Sequence, residues 1–480
     1  MGNGTQSPGP RVAILNIVGL CGRHLGEGAP KITAFARNSG THESVIRPVV
    51  PAVTCSAQAT YLTGKLPTEH GIVGNGWYDR TLNEHHFWKQ SNPLVQGEKI
   101  WETLKKQNPE FTCANLFWWF NMYSSVDYSI TPRPLYRSDG LKAFDIHSEP
   151  LSIRDQIKKE LGEFPFAAFW GPRAGIESSQ WIAKAAKWIE EKHRPDLNLI
   201  YLPHLDYDLQ RYGPNDPRSN KALKEIDQLA GGLIDFLSDR GIHCIVLSEY
   251  GITEVQNVVY PNKAFRHQGW LNIKEEFGLD TLDSGRSKAF ALTDHQIAHI
   301  YLPAKDPGLR SKVKTCLESL DGIATVLDEE DKEEIGLQHT RAGDLIALAK
   351  EDSWFSYYFW DDDEKAPEFA RCIDIHRKHG YDPSELFTDP KISFPTLKAA
   401  RKLLAKKLGF RIHMDLIPLD SHLVKGSHGI IPSNQSDWPI LINPNSSGSA
   451  ILDEDDFASD SDTKLATQQS IKAYVATQVA

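Results

Sequence analysis

Three short runs of this chain are apolar at nearly every position, and each ends in a polar cluster. Residues 12–18 (VAILNIV) are interrupted only by Asn16, and Gly19 follows. Residues 197–202 (LNLIYL) lead into Pro203, His204, Leu205 and Asp206, and residues 242–247 (IHCIVL) lead into Ser248 and Glu249. A strand with one wet face alternates polar and apolar residues. A continuous apolar run instead reads as a strand covered on both faces, the situation of a parallel sheet. Helical spacing precedes the second and third runs: Trp181, Ile182, Ala185 and Ile189 recur on one face, and residues 221–237 repeat the trend. The pattern predicts an α/β fold with a largely parallel central sheet flanked by helices. In open sheets of this kind ligands bind outside the carboxyl ends of the strands, which draws attention to Asp206 and Glu249.

The chain has 480 residues and a formal net charge of −10. That length suits one large core with an insertion better than a string of small domains. The organisation expected is a flexible N-terminus (1–10), a core (11–261), an insertion or cap that partly returns to the core (262–423), a core-completing segment (424–442) and a flexible acidic, Ser-rich tail (443–480). The cap carries two short strand candidates, 297–302 and 344–349, and the aromatic segment WFSYYFW at 354–360. The negative charge argues against a nucleic-acid platform, because its bulk field repels phosphate backbones and anionic surfaces. No run is long and apolar enough to span a bilayer, and the first residues lack the apolar heart of a signal peptide, so the expected location is the cytoplasm. The six cysteines form no Cys-x-x-Cys pair, which argues against a disulfide framework or a cysteine-based zinc site.

The segment 51–75, PAVTCSAQATYLTGKLPTEHGIVGN, carries the strongest chemical signal. Thr54 falls after an extended stretch and at the start of helix-forming residues. A helix N-terminus offers free N–H groups and the positive end of its dipole to an anion. Thr54 is therefore either a helix cap or a nucleophile, and a nucleophile would need a metal or a base to take its proton.

Pro51, Thr54, Thr63-Gly64, Pro67, His70-Gly71-Ile72 and Asn75 resemble the motif block of the nucleotide pyrophosphatase/phosphodiesterase branch of the alkaline phosphatase superfamily. The likeness continues at Asp206, Tyr212-Gly213-Pro214, Ser248-x-x-Gly251 and Gly426-Ser427-His428-Gly429. The resemblance implies an alkaline-phosphatase-like core and hydrolysis of a small phosphorylated substrate through a phospho-threonine, with two divalent metals concentrating positive charge on the phosphoryl group. It implies Thr54 as nucleophile and Asn75 as donor of an amide N–H to a phosphoryl oxygen; from spacing alone Asn75 is equally a turn residue in Gly-Asn-Gly.

At the metal ligands the chain departs from the family. Asp206 and His428 match. Gln210 stands where the family has His, Glu249-Tyr250 stands for Asp-His, and Val18 stands for the N-terminal Asp, with Asn16 the nearest polar residue. Glu249 can still bind a metal, whereas Gln210 and Asn16 are neutral oxygen donors. His204 and Asp208, flanking Asp206 at period two, would share its face if the segment were extended. Asp294-His295 and Asp374/His376 offer further ligands, with Arg377 and Lys378 as phosphate holders. One tight metal site is expected, at Asp206 and His428 completed by one of Gln210, His204, Asp208 or His295, with a second site near Thr54 and Glu249 weak, rebuilt from other ligands, or absent. Zinc is the first choice and manganese the alternative. The block Phe117–Phe120 reads as core or as a stacking platform for a substrate ring. The leading function is hydrolysis of a phosphodiester, pyrophosphate or phosphomonoester. The alternatives are a catalytically degenerate relative that binds a phosphorylated ligand or partner, and a metal-dependent mutase.

Overall fold

The computed structural model describes residues 10–38, 42–138, 142–303 and 306–443, together with 466–467, 472 and 475–476. The expected N-terminal flexible segment and almost all of the expected acidic tail lie outside the described residues.

The three apolar runs lie side by side. We label them β1 (Val12–Ile17), β2 (Leu197–Leu202) and β3 (His243–Leu247). β1 is the central member and pairs in parallel with both of the others, Asn16 lying opposite Tyr201 on one side and Leu247 on the other. The parallel run continues from β2 to Cys113–Leu116 and Tyr128–Pro132. Antiparallel strands close both flanks: Ile146–Glu149 on one, and Ile440–Asn443 with His42–Arg47 beyond it on the other. With Ala466–Thr467 the sheet has nine strands. Every residue of β1 and β2 is buried, as helices Ile176–His193 and Pro217–Ser238 pack against the sheet and contribute Ile182, Ile189, Ile226 and Leu233 to the same core. This two-sided burial is the physical reason the strands do not alternate.

A second, antiparallel four-stranded sheet is built from Phe290–Asp294, Ile297–Tyr301, Leu345–Ala349 and Ile323–Leu327. It has its own core, in which Phe290, Tyr301, Phe355 and Trp360 are fully buried, so most of the aromatic segment 354–360 is packing rather than platform. The hairpin turn between its first two strands is formed by His295 and Gln296, and it meets the 426–429 segment: Gln296 N donates to His428 O at 2.8 Å. His295 holds a φ of 61°, a left-handed conformation sparsely used by residues other than glycine.

Close approach of backbones shapes the same region. A Cβ on Gly251 would lie 1.6 Å from the Asp437 carbonyl oxygen, and one on Gly426 would lie 2.1 Å from that of Leu209. Only glycine permits these contacts, which seat the 426–429 segment beside the strand ends.

Candidate active site

Three chain segments converge at the carboxyl edge of β1, β2 and β3. The first is helix α1 (Thr54–Thr63), which is buried at every position, starts from an extended Val53 and stops at Gly64 in the left-handed conformation. Thr54 is its first helical residue and makes no capping bond, so the capping alternative is not what the side chain does. Its Oγ1 lies 3.3 Å from the Tyr250 hydroxyl.

The second segment begins where Pro203 ends β2 and starts helix α2 (His204–Tyr212). The period-two expectation for 204–208 fails here, because the segment is helical and side chains two apart point to different sides. His204 turns to Glu225 at 3.0 Å and Asp208 pairs with Arg211 at 2.8 Å. Asp206 alone faces the site, and Gln210, one turn later on the same face, donates to its Oδ2 at 2.7 Å. Tyr250 donates to Asp206 Oδ1 at 3.2 Å. Thr54, Tyr250 and Asp206 thus form one hydrogen-bonded chain. Burial pushes the Asp206 carboxyl up to about 6, against the lowering effect of its two donors.

Glu249, just after β3, sits on the other side of Thr54. Its Oε1 accepts from Asn16 Nδ2 at 2.6 Å and from Gln58 Nε2 at 2.5 Å. Burial pushes this carboxyl up to about 8, while Gln58, Asn16 and Thr54 pull it down. Gln58 escaped the sequence reading. Its signal was its position, four residues after Thr54 and therefore on the same helix face.

The third segment brings His428. Its Nδ1 lies 2.7 Å from the Ala52 carbonyl, which can only accept, so Nδ1 carries the proton and Nε2 presents a bare lone pair. That Nε2 is buried and has no hydrogen-bond partner among the described residues. The ring stacks on Tyr250 at 3.5 Å and lies 3.6 Å from the His295 ring, which in turn stacks on Tyr381 at 3.8 Å. Burial depresses both imidazoles, His428 to about 3, so both are neutral. Tyr381 closes the ring of contacts by donating to Gln210 Oε1 at 3.0 Å.

Asn75 braces α1. Its Oδ1 accepts from Cys55 N at 3.0 Å, and its backbone N and Nδ2 donate to the two oxygens of Asp294 at 2.8 and 3.0 Å. One amide hydrogen is therefore committed to Asp294 rather than facing a ligand, and Asp294 is a brace rather than a spare ligand. The other reserve residues are also engaged: His376 Nδ1 donates to Phe87 O at 3.0 Å, Arg377 pairs with Glu368 at 2.5 Å, and Lys378 is buried between Asp382 and Glu385 at 2.7 and 2.8 Å. Arg377 and Lys378 do not serve as phosphate holders in this arrangement.

The site opens into a cavity of about 1200 Å³. Thr54, Asp206, Tyr250 and His295 lie on its floor side, and Trp119, Trp170 and Phe166 line its walls. Of the Phe117–Phe120 block, Trp119 borders the cavity while Phe117 and Trp118 belong to the core.

A family model described as "Type I phosphodiesterase / nucleotide pyrophosphatase" matches residues 12–382, a span that takes in Thr54, Asp206 and Glu249. The chain belongs to this family. Among its relatives, mouse ectonucleotide pyrophosphatase/phosphodiesterase family member 1 is 26% identical over 252 residues, a match covering 50% of this chain and 24% of the mouse protein. A fission yeast protein named as an uncharacterized pyrophosphatase/phosphodiesterase is 26% identical over 263 residues, covering 52% of this chain and 46% of its own. The matched segment thus spans about a quarter to a half of these relatives' length. Solved structures share the fold along nearly the whole chain. Murine ectonucleotide pyrophosphatase/phosphodiesterase 5 superposes with a TM-score of 0.55 at 15% identity, covering 98% of this chain and 95% of that one. Phosphonoacetate hydrolase from Sinorhizobium meliloti 1021, in complex with phosphonoformate, gives 0.60 at 15% identity, covering 100% and 98%. The fold expectation, an alkaline-phosphatase-like α/β core with a parallel central sheet, is met.

The two-metal arrangement implied by resemblance requires bare anionic oxygens and imidazole nitrogens aimed at shared points. The donor set here has a different chemistry. Asp206 accepts from one donor at each oxygen, and Glu249 accepts two amide donors at Oε1. Among the described residues, no three His, Cys, Asp or Glu side chains gather in a group able to hold an ion. His428 Nε2 is oriented as a metal-binding imidazole usually is, with its other nitrogen fixed by a carbonyl. With the neutral Asn16 and Gln210 and the Tyr250 phenol in place of anionic and imidazole donors, the residues present do not fit a pair of metal ions, and a single ion at Asp206 would share the carboxylate with the Gln210 amide and the Tyr250 hydroxyl.

Proposed function

We propose that this protein hydrolyses a phosphoric ester or anhydride, with Thr54 as the attacking group. The observation that carries the reading is the hydrogen-bonded chain Thr54–Tyr250–Asp206 at the N-terminus of a buried helix, on the floor of a cavity large enough for an organic phosphate. An ionised Asp206 can only accept, so Tyr250 donates to it, and the Thr54 hydroxyl, which also lies against the Glu249 carboxyl, can donate to the Tyr250 oxygen. As Thr54 attacks phosphorus its proton passes to Tyr250 while the Tyr250 proton passes to Asp206. A carboxyl poised at about 6 is ionised at neutral pH and basic enough to receive it. This first step forms the phospho-threonine and breaks the bond from phosphorus to the leaving group, which takes a proton from solvent if it departs as an alcohol; water then cleaves the phospho-threonine, its OH going to phosphorus and its proton to the Thr54 oxygen, and Asp206 gives up the proton it received. The α1 dipole favours the anion throughout. The His428 and His295 rings stay neutral, and His428 stacks on the Tyr250 ring.

The substrate is proposed to be a small phosphorylated molecule, in keeping with a murine structural neighbour whose inactive form was solved in complex with AMP. Zinc or manganese assistance at Asp206 and His428, and a cytoplasmic location, remain proposals of the same kind. The capped carboxylates favour one second reading: a family member that binds a phosphorylated ligand without turnover. The two separate in one experiment. Purified protein is mixed with mono- and diester substrates, quenched in acid and mapped by mass spectrometry. Phosphate on Thr54 together with released leaving group supports the hydrolase. Tight ligand binding with an unmodified Thr54 and no release supports the binding protein.

A further inference from the structure

One segment of the cap differs from the rest of the molecule. Between residues 391 and 414 the chain carries seven lysines and arginines and no aspartate or glutamate, within a protein whose formal net charge is −10. Its centre is helix α3 (Pro395–Lys407), which has no buried residue at all. Amphipathic helices ordinarily turn their apolar stripe to the core. Here Leu397, Leu404 and Leu408, spaced seven and four apart and so on one face, are 67%, 58% and 69% exposed. Phe394 and Phe410 at the two ends are exposed as well.

The charges divide by side. Lys398 and Lys402 turn inward and pair with Asp415, which holds the helix against the protein. Arg401 and Lys407 flank the exposed leucine stripe, and among the described residues neither has an acidic partner within 4 Å. The helix therefore presents leucines outward with cations beside them, the pattern of a helix that lies in a lipid–water interface rather than on a protein core. The bulk negative field does not oppose this, because salt screens charges more than about 10 Å apart while the local cations are in contact with the surface.

The same segment rims the cavity. Leu403, Lys406, Phe410, Ile412 and Met414 are among the residues that line it, so the exposed segment and the cavity are continuous. We propose that 394–414 docks the protein on an anionic lipid surface.

The test uses the full chain and two kinds of vesicle, phosphatidylcholine alone and phosphatidylcholine with roughly a third phosphatidylglycerol. Wild type is expected to co-sediment with the anionic vesicles at low salt and to be released at high salt. Leu397→Glu/Leu404→Glu/Leu408→Glu, and separately Arg401→Glu/Lys407→Glu, should each weaken binding by about tenfold or more. None of these five side chains lines the cavity, so turnover of a soluble aryl phosphoester should stay within twofold of wild type, by order of magnitude. Equal sedimentation of wild type and both variants overturns the docking. So does a wild-type dimer, lost in the leucine variant, that ignores vesicles, since the stripe would then face a second copy.

Discussion

The floor of the site and the rim of the cap are built on opposite principles. At the floor, carboxylates are buried among neutral amides and a phenol that donate to them: Asn16 and Gln58 to Glu249, Gln210 and Tyr250 to Asp206. At the rim, Arg401, Lys407 and three leucines face outward, neither cation having an acidic partner among the described residues, and α3 keeps no residue buried. The floor is organised to act on what reaches it without rearranging, because preorganised hydrogen bonds in a dry site need no reorganisation at the moment of reaction. The rim is organised to meet something outside the molecule. The contrast teaches that charge in this protein is local: a chain with an acidic total carries a basic edge and a nearly neutral centre.

That comparison can be broken most severely at the nucleophile. Thr54→Val keeps the β-branched shape and removes the oxygen, so the melting temperature should change little while turnover falls on the order of a thousandfold or more. Near-normal turnover in the Val variant, checked by active-site titration, would remove the floor from the chemistry. Next in size is Tyr250→Phe, which cuts the relay and leaves Asp206 and His428 in place. Turnover should fall by about a hundredfold, and the rise of activity with pH near 6 should flatten because Asp206 no longer communicates with Thr54. Unchanged kinetics combined with loss of activity to a chelator would instead point to a metal at Asp206 and His428.

A smaller effect is expected from restoring strong ligands. Asn16→Asp/Gln210→His/Tyr250→His replaces the neutral caps, and the variant should retain zinc through dialysis with an affinity at least about tenfold above wild type. Equal zinc content in the two proteins, measured by elemental analysis, would show that the amide caps do not decide metal binding.

The smallest effect is on stability. The Glu249 carboxyl, pushed up to about 8, holds its proton more tightly in the folded state than in the unfolded chain. Its contribution therefore favours the fold at low pH and is lost as pH rises from the ordinary carboxylate range through about 8. Glu249→Gln removes that loss, so its melting temperature should exceed wild type by a few degrees at about pH 9 and match it at about pH 5. The opposite sign, a variant less stable at high pH, would show that the ionised carboxylate is held favourably after all.

The sequence by itself determined the central sheet, because two-sided burial writes a continuous apolar run that survives any packing detail. It also pointed to Thr54, Asp206, Glu249 and His428, because the first three follow directly from strand ends or a helix start and the fourth lies in a glycine-framed segment that only a close backbone approach requires. Tertiary structure alone decided what those groups touch. His204 and Asp208 left the site because Pro203 turns the segment into a helix, and Asn75 became a brace because Asp294 reaches it across 219 positions of the chain. Gln58 and Tyr250 joined the site through contacts made 191 and 196 residues away in sequence. Local pattern records which face of an element is buried. Which donor meets which carboxylate depends on distances set only when separate elements pack, and no local pattern encodes those distances.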